Sequence, residues 1–266
     1  MQSSTETFQI SMAAAEAYEA KLVPALFAEW APCLVDFAGI RPGQAVLDVA
    51  CGTGIVARTV ADQLGGAGRV VGLDLNPAML AVARRVCPDI EWREGDAAAM
   101  PFPDGSFDVV VCQMALMFFR DRAGALRDMR RVVSAGGTVA LVVPAHLAAQ
   151  PAYAPFVEMA ARHAGPEAVS LLGAYFSCGD LGLLTSLLES AGLAVAGTRT
   201  RLGHVKCASV DEFVAAEVES SPLAGRIGQD AYASIRAGAR EVLRPFMTPN
   251  GRLEVPLAGH LVAGRR

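Results

Sequence analysis

The stretch from Val46 to Gly54 constrains the fold of this chain more than any other. It reads Val-Leu-Asp-Val-Ala-Cys-Gly-Thr-Gly, so an apolar, β-favouring segment runs directly into a glycine turn. Apolar residues at helical spacing follow at once: Ile55, Val56, Val60, Ala61 and Leu64. Gly52 and Gly54 let the backbone turn sharply and let a ligand approach it, and the next helix begins with unpaired N–H donors. The sequence therefore predicts a strand, a ligand-binding turn and a helix.

Two classes of ligand use such a turn. Residues 52–57 fit the dinucleotide pattern G-x-G-x-x-G/A, and Asp74 follows about 20 residues on, where that pattern places an acid for the ribose. Asp48, inside the strand before the turn, distinguishes the two classes. Its carboxylate would repel a pyrophosphate, whereas it would attract the ammonium and sulfonium of S-adenosylmethionine (SAM). The turn therefore favours SAM over a nicotinamide dinucleotide.

The composition indicates a globular protein with one large core. The chain has 266 residues, of which 53% are hydrophobic, so one α/β domain with insertions can accommodate them. No run of about 18 apolar residues occurs, which predicts that no segment spans a membrane. The N-terminus lacks a basic region followed by an apolar core, so we expect a cytoplasmic protein.

The distribution of charge argues against a nucleic-acid-binding protein, and the positions of cysteine and histidine argue against a metal-binding protein. The net charge is −4 and the basic residues are dispersed, which argues against a nucleic acid partner. The six cysteines form no C-x-x-C pair and the four histidines stand far apart, so we predict no metal site. Free buried thiols in a reducing compartment are the expected state of the cysteines.

Strand and helix patterns alternate along the first half of the chain. This alternation predicts an α/β fold with a doubly wound, mostly parallel sheet and helices on both faces. Within it, Asn76 and Pro77 form a helix start, because asparagine caps a helix and proline suits its first turn. The seven predicted strands are 46–50, 69–73, 89–93, 107–112, 138–143, 193–200 and 253–263.

The pattern predicts one domain with three additions to its core. Two helices within residues 1–39, after a polar start, precede the core at 40–144, and insertions follow at 144–177 and 203–250. Ligands bind outside the carboxyl ends of parallel strands, and both insertions leave from those ends. We therefore expect the insertions to fold over the cofactor as a lid.

Several stretches resemble the class I SAM-dependent methyltransferases, in particular the branch of the ubiquinone and menaquinone biosynthesis methyltransferases. The matching stretches are Val46 to Gly54, Val70 to Leu80, Arg93 to Phe119 and the turn at 131–137. The resemblance is strong over residues 40–144 and weak at both ends. It implies a Rossmann-like methyltransferase fold, an enzyme, and SAM as its cofactor.

The resemblance also assigns the turn and the acid after the second strand. Backbone groups of Ala50 and Gly52, in the turn that Gly54 completes, would hold the methionine end of SAM. Asp48 would favour its ammonium, and Asp74 would accept both ribose hydroxyls. The chain departs from many relatives at Ala50, where they carry a glycine.

Five more residues complete the implied cofactor site. Leu75 and Met79 would contact the adenine, Asp96 and the backbone N–H of Ala97 would bind its amino edge, and Gln113 would face the methionine moiety. Three of them have a plainer alternative from the residues alone. Met79 also suits a helix core, Gln113 a solvated loop, and Asp96, like Asp74, a turn cap.

Methyl transfer from SAM requires alignment and exclusion of water, and a general base only if the acceptor must lose a proton. His146, after the fifth strand, and His204, after the sixth, are the candidates for that base. Each is also compatible with a structural or solvated role. Tyr18, Tyr153 and Tyr175 would line the acceptor pocket or pack the lid.

The insertions are rich in Leu, Ala, Phe and Met and poor in Lys and Arg. This composition predicts a small, mainly apolar acceptor, such as an aromatic, quinone-like or polyketide-like metabolite, methylated at oxygen, carbon or nitrogen. Two other functions stay open, namely a protein that binds SAM without methyl transfer and an NAD(P)-dependent oxidoreductase. The oligomeric state is not determined by the sequence, which is compatible with a homodimer.

Overall fold

The computed structural model describes residues 10–219, 223 and 226–266. The predicted polar start of the chain therefore lies almost wholly outside the described residues, as does a small part of the second insertion. The chain folds into two compact units. The first comprises residues 1–143, 181–200 and 260–266, and the second comprises residues 144–180 and 201–259.

The N-terminal helices of the first unit form one uninterrupted helical run. It consists of α1 (Met12–Ala17), a π-helix (Tyr18–Phe27) and α2 (Ala28–Ala38). Ser11 caps the start, as its side chain accepts a hydrogen bond from the N–H of Ala14 at 3.3 Å. Two separate helices were expected, but the break is a widened π segment that contains Pro24, a residue without an N–H to donate.

Seven strands form one sheet within the described residues. Their order is β3-β2-β1-β4-β5-β7-β6. They are β1 (Ala45–Val49), β2 (Arg69–Asp74), β3 (Glu91–Glu94), β4 (Phe107–Gln113), β5 (Val133–Pro144), β6 (Ala194–Cys207) and β7 (Leu253–Arg265). The four pairs from β3 to β5 are parallel. The doubly wound, mostly parallel α/β fold is confirmed.

The last strand runs antiparallel to β5. The N–H of Gly136 donates to the carbonyl of Arg266 at 3.1 Å, and farther along β5 the N–H of Ala145 donates to the carbonyl of Ala258 at 2.8 Å. Residue numbers thus rise on one strand as they fall on the other. Gly136 and Gly137 were expected to form a turn before β5. The structure assigns both to the strand, where they pair with Arg266, but the pairing of β5 with β4 is irregular here and passes from Val133 directly to Thr138.

β6 extends seven residues beyond its predicted end at Thr200, to Cys207. It is one of the two edge strands of the sheet formed by the described residues, so one side of its backbone pairs with no other strand of that sheet. Arg201 and Lys206 lie in this extension. Polar residues of this kind weakened the strand pattern in the sequence without preventing an edge strand from forming.

The remaining helices are distributed over both units. They are α3 (Ile55–Leu64), α4 (Pro77–Val86), α5 (Arg122–Val132), α6 (Tyr153–Ala164), α7 (Glu167–Gly173), α8 (Leu181–Ser190), α9 (Val210–Glu219) and α10 (Gln229–Val242). Asn76 starts α4 as predicted, since its side chain accepts from the N–H groups of Ala78 and Met79 at 2.8 and 3.2 Å. A cap also starts α9, with the Ser209 hydroxyl accepting from the N–H of Glu212 at 3.1 Å.

Each unit has its own apolar core. In the first unit, Leu47, Leu73, Val110 and Leu141 of four neighbouring strands are fully buried. α2 packs against α3 and β4, and α1 packs against α4. In the second unit, α6 packs against α7 and α10 around a set of aromatic rings: Tyr153, Phe156, Phe176 and Phe213.

Among the described residues, no single helix has the length and hydropathy of a membrane span. The consecutive helical segments Glu167–Phe176 and Leu181–Ser190 reach that length and hydropathy only when they are taken together. The role of residues 144–177 and 203–250 as a lid stays a prediction.

Candidate cofactor-binding site

The turn after β1 is built from left-handed backbone conformations. Gly52 and Gly54 have φ of 56° and 90°, and Ala50 has φ of 55°. A side chain in this conformation costs about 1–2 kcal/mol, which explains why a glycine would be favoured where Ala50 stands. Hydrogen bonds hold the turn, from the N–H of Cys51 to the carbonyl of Leu73 and from the N–H of Gly54 to the carbonyl of Cys51, both at 2.9 Å.

A buried tryptophan explains two glycines near this turn. A methyl group added to Gly54 or to Gly72 would overlap the indole ring of Trp92 on β3. The indole N–H donates to the carbonyl of Cys87 at 2.8 Å, which fixes the ring in place. The last glycine of the turn therefore permits close packing of α3 against the sheet, besides allowing the turn itself.

Asp48 lies beneath the turn and is only 1% exposed. Its carboxyl group accepts a hydrogen bond from the N–H of Ala57, in the first turn of α3, at 3.0 Å. Burial and, to a smaller extent, the nearby Asp74 raise the pKa of Asp48 to about 8, although the hydrogen bond from Ala57 opposes this rise. A cation above the turn would favour the ionised form of this carboxyl group.

Asp74, at the end of β2, connects that strand to the turn. One carboxyl oxygen accepts from the N–H of Gly52 at 2.7 Å, and the other accepts from the N–H of Asn76 at 2.8 Å. Burial raises the pKa of Asp74, and these hydrogen bonds lower it. Because a carboxylate has about four lone-pair positions, Asp74 keeps capacity for further donors such as hydroxyl groups.

Two buried polar atoms beside the turn have no hydrogen-bond partner among the residues that the structure describes. They are the hydroxyl oxygen of Thr53 and the amide oxygen of Gln113. The Gln113 amide nitrogen donates to the carbonyl of Phe27 at 3.1 Å, and this bond orients the side chain. Met114, the next residue, has φ of 51°. Unsatisfied polar atoms and backbone strain are rare in protein interiors and concentrate at ligand sites.

These groups fit SAM. An unpaired amide oxygen suits its ammonium, and the carboxyl groups of Asp48 and Asp74 suit its positive charge and its ribose hydroxyls. The residues expected to contact adenine differ in their solvent exposure and in their hydrogen bonds. Leu75 is 45% exposed and Met79 half-buried, so both retain apolar surface for a ligand. Asp96 is exposed and accepts from the N–H of Ala98 at 2.9 Å, the turn-capping role that was its alternative.

Comparison with known proteins agrees with this geometry. Residues 46–137 match the family model described as a methyltransferase domain. This segment is a methyltransferase domain. Over 128 residues the chain is 41% identical to the demethylmenaquinone methyltransferase of Renibacterium salmoninarum, which covers 48% of this chain and 51% of that protein. The chain thus spans about half the length of the curated relatives it matches.

Solved structures show the same fold over more of the chain. Phosphoethanolamine N-methyltransferase 2 of Haemonchus contortus, in complex with S-adenosylhomocysteine, aligns over all of this chain and 60% of its own, with a TM-score of 0.62 and 19% identity. The [4+2]-cyclase SpnF aligns over 90% of this chain and 80% of its own, with a TM-score of 0.54 and 19% identity. The predicted resemblance to class I methyltransferases is confirmed, and so is the Rossmann-like fold.

The two histidines lie in the second unit, outside the segment matched to the methyltransferase domain. His146 is exposed, and its Nδ1 accepts from the N–H of Ala148 at 3.2 Å, where it caps a short 3-10 turn. His204 is half-buried on β6. The catalytic role of both residues stays a prediction, as do the individual contacts of the predicted cofactor residues.

The sequence alone did not identify two residues that lie at the glycine turn, Thr53 and Tyr18. Thr53 was passed over although it lies inside the turn, where its hydroxyl was already a signal. Tyr18 was placed at the acceptor or in the lid, but its ring lies against Gly52. No sequence signal placed it beside the turn, because that contact depends on the packing of the π-helix against the sheet.

Proposed function

We propose that this protein is a SAM-dependent methyltransferase that acts on a small, mainly apolar metabolite. One observation carries the proposal: a glycine turn lies between two buried or half-buried carboxyl groups, beside an amide oxygen that lacks a partner. This arrangement favours a cationic ligand with hydroxyl groups and disfavours a diphosphate.

Each part of SAM has residues suited to bind it. Asp48 and the amide oxygen of Gln113 face the ammonium, the backbone of Ala50 and Gly52 supports the methionine chain, and Asp74 accepts from the ribose hydroxyls. Leu75 and Met79 pack against the adenine, and Asp96 with the N–H of Ala97 binds its amino edge. The bound cofactor supplies a methyl group on sulfur, an already activated leaving group, so the protein's task is positioning and exclusion of water.

An apolar, quinone-like acceptor is supported by the relatives and by the second unit. The relative from Renibacterium is named for demethylmenaquinone. The insertions at 144–177 and 203–250 are rich in Leu, Ala, Phe and Met and poor in lysine, a composition suited to an apolar ligand. His146 and His204 are the proposed bases where an acceptor must lose a proton. Lid closure, a cytoplasmic location and a homodimer stay predictions.

Titration calorimetry with SAM and S-adenosylhomocysteine tests the proposed cofactor. We expect both to bind in the micromolar range. If neither binds at tens of micromolar while NADH does, the oxidoreductase alternative replaces this proposal. Transfer of a radiolabelled methyl group to a panel of naphthoquinols, phenols and amines then identifies the acceptor class.

A second function has support from one structural neighbour. SpnF has the same fold and is a [4+2]-cyclase. A protein that binds SAM without transferring its methyl group would keep every cofactor residue discussed above. Tight binding of SAM without formation of S-adenosylhomocysteine across the whole acceptor panel would favour this second function.

A further inference from the structure

The N-terminal strap, defined here as residues 10–27, crosses the ligand edge of the sheet. It makes four polar contacts that surround the glycine turn. These are the Asn76 amide to the Ile10 carbonyl at 3.4 Å, Arg85 to Glu16 at 2.8 Å, Arg58 to Glu19 at 2.9 and 3.2 Å, and the Gln113 amide to the Phe27 carbonyl at 3.1 Å. Asn76 follows β2, Arg58 and Arg85 lie on α3 and α4, and Gln113 is the last residue of β4. The strap therefore lies where this fold binds its ligand.

Tyr18 lies between the first and last of these contacts. A methyl group built on Gly52 would lie 3.6 Å from the Tyr18 hydroxyl oxygen and 3.7–3.8 Å from its ring. The ring stacks on Phe27, with centroids 5.0 Å apart and planes at 28°, and the neighbouring Glu19 is tied to Arg58. Tyr18 begins the π-helix, a conformation frequently found at functional sites. The stacking on Phe27 and the ion pair of the neighbouring Glu19 with Arg58 thus position the hydroxyl next to the turn.

The charges around Tyr18 keep its hydroxyl protonated. Burial, and then the negative charges of Asp74, Asp48 and Glu19, raise the pKa of Tyr18 above its usual range. The group is therefore protonated near neutral pH and can donate a hydrogen bond. It lies among carboxyl groups that would attract the ammonium of SAM and repel its carboxylate.

The carboxylate of SAM needs donors at this turn. The N–H groups of Cys51, Gly52 and Gly54 already donate to Leu73, Asp74 and Cys51. Side-chain hydroxyls beside the turn are therefore needed as donors, and among the described residues Thr53 and Tyr18 provide such hydroxyls.

We infer that the Tyr18 hydroxyl donates a hydrogen bond to the carboxylate of the methionine moiety of SAM, which makes the strap part of the cofactor site. The inference rests on the proposed function and assigns the recognition of one charged group of the cofactor. It predicts discrimination between SAM and an analogue that lacks only this carboxylate.

Calorimetry of wild type, Tyr18→Phe and Tyr232→Phe with two ligands tests the inference. The ligands are SAM and decarboxylated SAM, which keeps the ammonium and the sulfonium. Tyr18→Phe removes one hydroxyl and retains the ring that stacks on Phe27, and Tyr232→Phe is the matched control on α10. We expect Tyr18→Phe to lower the affinity for SAM about tenfold or more and to change that for decarboxylated SAM less than about twofold. The control is expected to leave both affinities unchanged.

Three outcomes would overturn the inference. If wild type does not bind SAM, the proposed function fails and the inference fails with it. If wild type binds SAM and Tyr18→Phe binds it equally well, only the inference fails. Equal losses for both ligands would show that the hydroxyl acts through the shape of the turn instead of through the carboxylate.

Discussion

The two units bury a carboxyl group in different ways. In the first, Asp48 accepts a backbone N–H at the start of α3, beneath a turn with unpaired polar atoms and strained backbone. In the second, the Tyr153 hydroxyl donates to Glu217 at 2.8 Å among aromatic rings. The first arrangement leaves polar groups for a ligand, whereas the second satisfies its own polar groups inside an apolar cluster. A buried carboxyl group thus belongs to the candidate binding site in the first unit and to the packed core in the second.

The largest loss of stability is expected from a substitution in the aromatic core of the second unit. Phe213→Ala removes a fully buried ring that contacts Tyr153 and Phe156, with centroids 5.4 and 5.3 Å away. We expect it to lower the free energy of unfolding by about 4 kcal/mol, from the lost transfer energy and the cavity. Urea denaturation measures this, with the exposed Leu202→Ala as a control that should cost less than about 0.5 kcal/mol. A cost for Phe213→Ala near that of the control would contradict the assigned packing.

The second-largest loss of stability is expected from a substitution in the glycine turn of the first unit. Gly54→Ala places a methyl group into the ring of Trp92 at φ of 90°, and we expect a loss of about 3 kcal/mol. Gly65→Ala is the matched control, because Gly65 has φ of 56° and open space around it. It should cost only about 1 kcal/mol. Equal costs in thermal or urea unfolding would show that backbone strain alone accounts for Gly54.

A smaller effect should appear in binding instead of stability. Asp74→Asn replaces an oxygen that accepts from Gly52 or from a ribose hydroxyl with a group that donates. We expect the affinity for SAM to fall about 30-fold. Asp96→Asn, at an exposed turn, should lower it less than about fivefold. Calorimetry that ranked Asp96 above Asp74 would reverse the assigned importance of the two acids.

Measured per pH unit, the smallest effect is a pH dependence that separates the two buried acids. Folding raises the pKa of Asp48 from 3.8 to about 8 and that of Glu217 from 4.5 to about 7. The folded state therefore holds more protons between these values, and stability is highest below pH 4 for both groups and is lost as pH rises. Each contributes a fall of at most about 1.4 kcal/mol per pH unit inside its window.

Denaturation from pH 4 to 9 measures these slopes. Asp48→Asn should remove the fall that continues between pH 7 and 8, and Glu217→Gln should remove only a fall that ends near pH 7. Saturating SAM should flatten the Asp48 contribution, because the cofactor's charge favours the ionised carboxyl. Identical profiles for both variants would remove the distinction between the two acids.

Local signals in the sequence predicted most of the first unit. Asn76 and Pro77 started α4, and the apolar strands β1, β2 and β4 lay within about two residues of their predicted bounds. These signals work because a cap or a strand pattern involves neighbours in the chain. The glycine turn and Asp74 were predicted together because their separation reflects one strand-turn-helix unit.

By itself, the sequence determined the alternation of strands and helices, the position of the turn and the acids beside it, since each depends on residues close together in the chain. Only the tertiary structure placed Tyr18 against Gly52, Trp92 against Gly54 and Gly72, and Tyr153 against Glu217. The pairs involving Tyr18 and Glu217 join residues 34 and 64 positions apart, and each requires the packing of separate elements. No local pattern encodes such contacts, because packing selects among the many side chains that could meet.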